Sequence, residues 1–173
     1  MTVATESKSV LQLGRPMVTV DISDMKISSN QNEILATYSL GSCVGVVLYD
    51  PVARIGGMIH CMLPLSKIDP EKAALRPQMF VDTGVTALLQ EIYAQGAKKK
   101  DLVAKVAGAG SPLGQEMIFK IGQRNYTVVR KLLWKNNILI QAEDVGGSAA
   151  RTLFLDIATG RTIVKSGGQE VEL

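Results

Sequence analysis

The chain has 173 residues, of which 46% are hydrophobic and 20% charged, with a formal net charge of +3. That length supports one domain with a substantial core and no need for disulfide or metal staples, while the charge is too weak to define a nucleic-acid surface by itself. No apolar run approaches the ~20 residues that a spanning helix requires, so no membrane insertion is expected.

Residues 1–16 mix Thr, Glu, Ser and Lys without an apolar period and read as a mobile tail ahead of a single domain over 17–173. They lack the apolar segment and cleavage site of a secretory leader, so a cytoplasmic location is expected. In such a reducing compartment Cys43 and Cys61 are expected as free thiols.

Val18–Ile22 alternates like a strand, and Ile34–Ser39 predicts another after the polar turn at Ser28–Asn32. Val44–Tyr49 is an almost unbroken aliphatic run closed by Asp50-Pro51, which predicts a central strand covered on both faces. Ile55–Leu63 reads as its partner across a short turn. Alternation puts Met58, His60 and Met62 on one side of that strand and Ile59, Cys61 and Leu63 on the other.

Leu65–Pro77 is a polar loop, either a lid or plain surface. Gln78–Gln95 predicts a helix with Phe80, Ala87, Leu88 and Ile92 inward, stopped by Gly96. The Lys98-Lys99-Lys100 run after it is either a set of solvated cations near a helix C-terminus or a phosphate-binding patch. Leu102–Ala107 predicts a strand, Gly108–Pro112 a flexible connection, and Gly122–Lys135 a second main helix. Ile138–Ala142, Thr152–Ile157 and Arg161–Lys165 complete the strands. The expected architecture is a single-domain α/β sandwich with largely antiparallel or mixed sheets and two main helices.

The stretch Thr37–Pro64 holds both cysteines and the single histidine. Cys43 follows the small-residue turn Gly41-Ser42 and reads two ways: as a buried structural thiol, or as a nucleophile. A nucleophile here needs a base to form the thiolate, and the backbone N–H groups of Gly41, Ser42 and Cys43 would have to hold an oxyanion. His60 is either a hydrogen-bonded core histidine or that base. Thr37 is either an ordinary strand threonine or the group that orients the imidazole. A metal site from Cys43, His60 and Cys61 lacks close Cys pairing and sits on diverging side chains, and 108–114 lacks the Gly-Lys-Ser/Thr ending of a nucleotide loop. No metal, cofactor or nucleic acid is expected.

Leu40-Gly-Ser-Cys-Val-Gly-Val-Val-Leu-Tyr-Asp-Pro51 and Gly56-Gly-Met-Ile-His-Cys-Met-Leu-Pro64 resemble the chemoreceptor glutamine deamidase family, CheD. The likeness continues through Ala104-Lys105, Ile121-Gly-Gln-Arg-Asn125, Ala142-Glu-Asp-Val-Gly-Gly147 and Thr159-Gly160. It departs at Ile59, at Gly108-Ala109-Gly110 where the pattern has Gly-Gly-Ala, and at Ala150. The resemblance implies a Cys43–His60–Thr37 set, a fold similar to that of glutamine-deamidating toxins, and glutamine side chains of methyl-accepting chemotaxis receptors as substrate. It also implies a CheC-type CheY-phosphate phosphatase as partner. Two readings follow: a cysteine-dependent deamidase, whose chemistry extends to glutamyl methyl esters, or an adaptor that mainly regulates the phosphatase.

Overall fold

The computed structural model describes residues 9–112 and 120–173. Among the described residues ten strands run in chain order: β1 (Met17–Thr19), β2 (Asp24–Ser28), β3 (Ile34–Leu40), β4 (Val44–Asp50), β5 (Ile55–Cys61), β6 (Val103–Gly108), β7 (Ile140–Val145), β8 (Arg151–Asp156), β9 (Thr162–Ser166) and β10 (Gln169–Glu172). Three α-helices join them: α1 (Pro70–Leu75), α2 (Val81–Ala94) and α3 (Ile121–Lys135).

The strands form two five-stranded sheets, in the orders β1-β3-β8-β9-β10 and β2-β5-β4-β6-β7. Pairing is antiparallel except at β1–β3 and β6–β7. The expected mixed, largely antiparallel α/β sandwich with two main helices is therefore what the chain adopts. β4 is the middle strand of the second sheet and every one of its residues is buried, as its unbroken aliphatic run requires.

Two apolar layers flank that second sheet. On one face Val44, Val46, Leu48, Ile59, Cys61 and Val106 pack under Val85, Leu88 and Ile92 of α2 and Val129 and Leu133 of α3. On the other, Val47, Tyr49 and Met58 meet Leu35, Leu153, Leu155 and Val164 of the first sheet. Each buried aliphatic side chain contributes about 1.5–3 kcal/mol of transfer free energy, so both layers resist shear. The side chains of β5 thus split as alternation predicts, Met58 toward the other sheet and Ile59 and Cys61 toward the helices.

Several local expectations are revised. β2 and β10 were not anticipated, because Asp24-Met-Lys-Ile-Ser and Gln-Glu-Val-Glu172 are short and polar. Both are edge strands, for which ladder partners matter more than apolar content. The 65–77 loop contains α1, which starts at Pro70 and is capped by the Asp69 carboxylate accepting from the Lys72 N–H. In α2 the inward stripe is Val81, Val85, Leu88, Leu89 and Ile92, while Phe80 lies just ahead of the helix.

Of the expected tail, residues 1–8 lie outside the described residues. From Ser9 the chain makes a capped 3-10 turn, Val10–Leu13, and Val10 packs on the outer face of the first sheet with Ile34, Ala36 and Phe154. Arg15 then forms a two-pronged ion pair with the buried Asp156, at 2.7 and 2.6 Å.

The tight β4–β5 turn is held by Asp50, whose carboxylate accepts from the N–H groups of Val52, Ala53 and Lys98. Burial alone would raise its pKa, but those donors hold it below the usual carboxylate value. Lys98, Lys99 and Lys100 are exposed.

Candidate active site

The alternation of β3 and β5 decides which of the singled-out side chains meet. Leu35 and Thr37 share the inner face of the first sheet, and Met58 and His60 share the facing side of the second. Thr37 and His60, both fully buried, therefore touch across the gap between sheets, with Thr37 Oγ1 2.8 Å from His60 Nδ1. The Thr37 hydroxyl also lies 2.7 Å from the Val20 carbonyl oxygen and donates to it.

That pair of contacts fixes the imidazole tautomer. A hydroxyl has a single proton, and a carbonyl can only accept, so the Thr37 proton goes to Val20 and its oxygen accepts from Nδ1–H. Nε2 then carries a lone pair and no proton. It is buried with no hydrogen-bond partner among the described residues. Burial lowers the His60 pKa to about 4, so the ring is neutral near pH 7 and Nε2 is a free acceptor.

Cys43 comes to the same side of the second sheet. His60 pairs with Gly45 in the β4–β5 register, and residues directly opposite in an antiparallel pair point to one face. Cys43 stands two residues before Gly45, so it shares that face and is the diagonal neighbour of His60, and it packs on the inter-sheet cluster. Diagonal pairs are separated by ~7–8 Å at the backbone, a gap that a long side chain such as imidazole can span, but no hydrogen bond joins the Cys43 sulfur to His60 among the described residues. The absence of a side chain at Gly45 keeps the position between them narrow: a Cβ there would lie 2.9 Å from Leu153 Cδ2 and 3.0 Å from Leu40 Cδ1.

Cys43 is only partly buried, in contrast to the fully enclosed Cys61, and both are free thiols. Burial raises the Cys43 pKa, opposed in part by its own backbone N–H. Cys61 faces the helices and is pushed strongly upward by burial, so it cannot join Cys43 and His60 around a metal ion. The resting pair is an uncharged thiol and a neutral imidazole.

The turn before β4 is fixed from two directions. The Ala109 N–H donates to the Cys43 carbonyl and the Gly110 N–H to the Gly41 carbonyl, each at 2.7 Å, while Ser111 N–H reaches Gly147. The expected flexible connection after β6 is, through Pro112, a strap over this turn. Residues 113 and 114 of the 108–114 segment lie outside the described residues. Gly108 (φ +94°) is essential to the strap, because a Cβ there would sit 2.5 Å from the Cys43 carbonyl oxygen. Ala109 keeps a left-handed φ of +51° even though it carries a side chain.

Among the three N–H groups considered for an oxyanion, that of Gly41 already donates to the Ser39 carbonyl at 3.0 Å. Those of Ser42 and Cys43 make no hydrogen bond to another residue's backbone among the described residues, and both residues are partly exposed. The arrangement can thus accept a proton at Nε2 and offer N–H donors beside the sulfur. These are the elements that acyl transfer through a thiolate needs.

One polar residue at this place was not singled out beforehand: Asn125 of α3, fully buried against the Ser42 turn. Its signal was available, since it lies four residues before Val129 and eight before Leu133, a polar residue on the apolar stripe of an amphipathic helix.

A family model described as CheD chemotactic sensory transduction matches residues 62–166. A probable chemoreceptor glutamine deamidase CheD 1 of Syntrophus aciditrophicus is 48% identical over 151 residues, covering 87% of this chain and 94% of that one. The probable chemoreceptor glutamine deamidase CheD of Solibacter usitatus is 43% identical, covering 90% and 92%, and a CheD 2 of Anaeromyxobacter dehalogenans is 41% identical, covering 91% and 99%. Among solved structures, a Neisseria meningitidis protein of the DUF152 family aligns with a TM-score of 0.46 at 12% identity, over 80% of this chain and 65% of that one. The Bacillus licheniformis hypothetical protein YfiH gives 0.45 at 17% identity, over 72% and 50%. No described helix is long and apolar enough to cross a membrane. With more than 40% identity sustained over nearly the whole of three relatives, the chain belongs to the CheD family.

Proposed function

We propose that this chain, acting in the cytoplasm, deamidates glutamine side chains of methyl-accepting chemotaxis receptors to glutamate, with Cys43 as nucleophile. The observation that carries the reading is the Thr37–His60 hydrogen bond, which holds the imidazole with an unprotonated, unpartnered Nε2 on the face that Cys43 shares. The names of the relatives, chemoreceptor glutamine deamidases, support the substrate.

In the proposed cycle Nε2 takes the thiol proton as sulfur attacks the carboxamide carbon, and Thr37 holds the Nδ1–H of the imidazolium that forms. The N–H groups of Ser42 and Cys43 stabilise the oxyanion, and Gly41 supplies the turn rather than a donor. His60 returns the proton to the departing nitrogen, which leaves as ammonia with a thioester on Cys43. Water, deprotonated by Nε2, attacks that thioester, and glutamate is released with the thiol restored. No metal or cofactor enters these steps. A glutamyl methyl ester would follow the same course, with methanol leaving.

The test is mass spectrometry of receptor fragments incubated with the wild type, Cys43→Ala and His60→Ala. Conversion of glutamine to glutamate by the wild type alone is the expected result, and equal conversion by Cys43→Ala would overturn the nucleophile.

The adaptor reading, in which the chain chiefly regulates a CheC-type phosphatase, is favoured by the uncharged resting state. A thiol above its ordinary pKa and an imidazole at about 4 do not form an ion pair unaided, so a partner bound at the partly exposed Ser42–Cys43 turn would set its activity. A Cys43→Ala protein that binds and stimulates the phosphatase like wild type separates that role from catalysis.

A further inference from the structure

Asn125 lies on α3, outside the Thr37–His60 pair, yet it touches the turn that carries Cys43 and the segment just past the strand that carries His60. Its Nδ2 donates to the Ser42 carbonyl at 2.9 Å and to the Met62 carbonyl at 3.0 Å. Ser42 immediately precedes Cys43, and Met62 follows His60 by two residues just past the end of β5. Both acceptors are carbonyls, so the amide orientation is settled by chemistry: the nitrogen must face them, and both of its protons are committed.

We infer that Asn125 is a positioning residue, which ties the turn bearing Cys43 to the end of the strand bearing His60 and so sets the separation of sulfur and Nε2. The location explains why such a tie is needed. The β4–β5 ladder ends at Val44 and Cys61, so Cys43 and Met62 are the first residues beyond its pairing and Ser42 is the next. The strap after β6 holds the Ser42 turn and the Met62 N–H donates to the Met79 carbonyl at 2.9 Å, so each end is tied to a different neighbour, and Asn125 joins the two ends to each other where the proton must pass. Asn125 replaces the missing rung with a side chain that is itself fully buried.

The sequence of α3 is fitted to this task. Gly122 packs so closely on the strap after β6 that a Cβ would collide with the carbonyl oxygens of Gly110 and Ala109. Three residues later, on the same side of the helix, Asn125 is thereby brought down onto the Ser42 turn. Val129 and Leu133 continue that face into the core and anchor the helix from its other end. The helix therefore presents one amide at a fixed depth.

This inference rests on Cys43 and His60 as nucleophile and base, and a double-mutant cycle tests it separately from that reading. Asn125→Ala, Asn125→Ser and Asn125→Asp are measured for glutamine deamidation in the wild-type and His60→Ala backgrounds. Alkylation of Cys43 by iodoacetamide is followed in the same proteins. Cys61, fully enclosed in the folded chain, serves as the folding reference: intact mass spectrometry counts as folded the molecules in which it stays unmodified, and rates are expressed per folded molecule.

Because a misplacement of about 1 Å in a reacting pair costs on the order of 10²-fold, kcat is expected to fall at least tenfold in Asn125→Ala with KM within twofold. Asn125→Asp should be the most damaging, since it sets a carboxylate against two carbonyl oxygens, and Asn125→Ser should retain the most. In the His60→Ala background the same changes should alter the residual reaction and Cys43 alkylation less than twofold, because no base remains to be aligned. Equal losses in both backgrounds, wild-type kcat in the variants, or no folded molecules in any of them would each overturn the assignment. Full activity in Cys43→Ala would instead defeat the underlying reading.

Discussion

Replacing Thr37 by Val keeps the side-chain shape and removes the hydroxyl that links Val20 to His60. Two buried groups lose their partner: the Val20 carbonyl, accepting at 2.7 Å, and the Nδ1–H, donating at 2.8 Å. A buried polar group left unpaired costs about 1–3 kcal/mol, so with two such groups stability is expected to fall by about 2–6 kcal/mol. The effect on chemistry comes through the imidazole. The same hydrogen bond favours Nδ1–H over Nε2–H, and the second form presents a donor instead of a base to Cys43.

Losing that preference brings the two tautomers near parity, about a twofold loss, and the imidazolium that forms in the reaction loses a hydrogen bond to a charged group worth about 1.5–3 kcal/mol, which lowers the rate by about 10- to 100-fold. The drop should fall on kcat with KM little changed, because Thr37 is enclosed behind the imidazole and fully buried. Thr37→Ser retains the hydroxyl and should keep most of the rate. Deamidation of receptor fragments read by mass spectrometry, at a temperature where thermal unfolding shows every variant folded, measures both. Wild-type kcat in Thr37→Val, or an equal loss in Thr37→Ser, would refute the orienting role.

Three further outcomes follow from the same geometry. His60 is held at about 4 by burial, below its ordinary 6.5, so folding excludes a proton that the unfolded chain binds. Its contribution is complete above pH 6.5 and is lost as pH falls toward 4, amounting to about 3 kcal/mol at most. Urea titrations across that range should show the decline, and His60→Gln should flatten it. Under native conditions iodoacetamide should label Cys43 and spare Cys61, with the Cys43 rate still climbing above pH 9 because its thiol is raised rather than lowered; intact-mass time courses over pH 6–10 decide it. Gly108→Ala would drive a Cβ to 2.5 Å from the Cys43 carbonyl in a left-handed conformation, so a loss of more than ~2 kcal/mol in denaturant stability is expected together with loss of deamidation.

Much of the site was legible because strand alternation is a local rule. His60 and Cys61 had to point to opposite faces once Ile55–Leu63 was a strand, and the aliphatic run Val44–Tyr49 could only be a central one. The motifs around Cys43 and His60 carried the family resemblance as well. Asn125 was overlooked although it broke the apolar stripe of α3, since periodicity marks a buried polar residue without saying which groups it will bond. β2 and β10 escaped because an edge strand draws its order from its neighbour's ladder rather than from its own composition.

The sequence by itself determined the types of the longer elements, the facing of side chains along β5 and the presence of a thiol and a single histidine on neighbouring strands. The contact of Thr37 with the imidazole, which the resemblance implied, is made across the two sheets, and tertiary structure alone decided that the Thr37 proton is spent on Val20 so that Nε2 keeps its lone pair. It also decided that Gly41 has already used its N–H and that Asn125 spans Ser42 and Met62. Periodicity assigns a residue to a face at short range. Which atom meets which across two sheets and a helix depends on register and packing between segments distant in the chain.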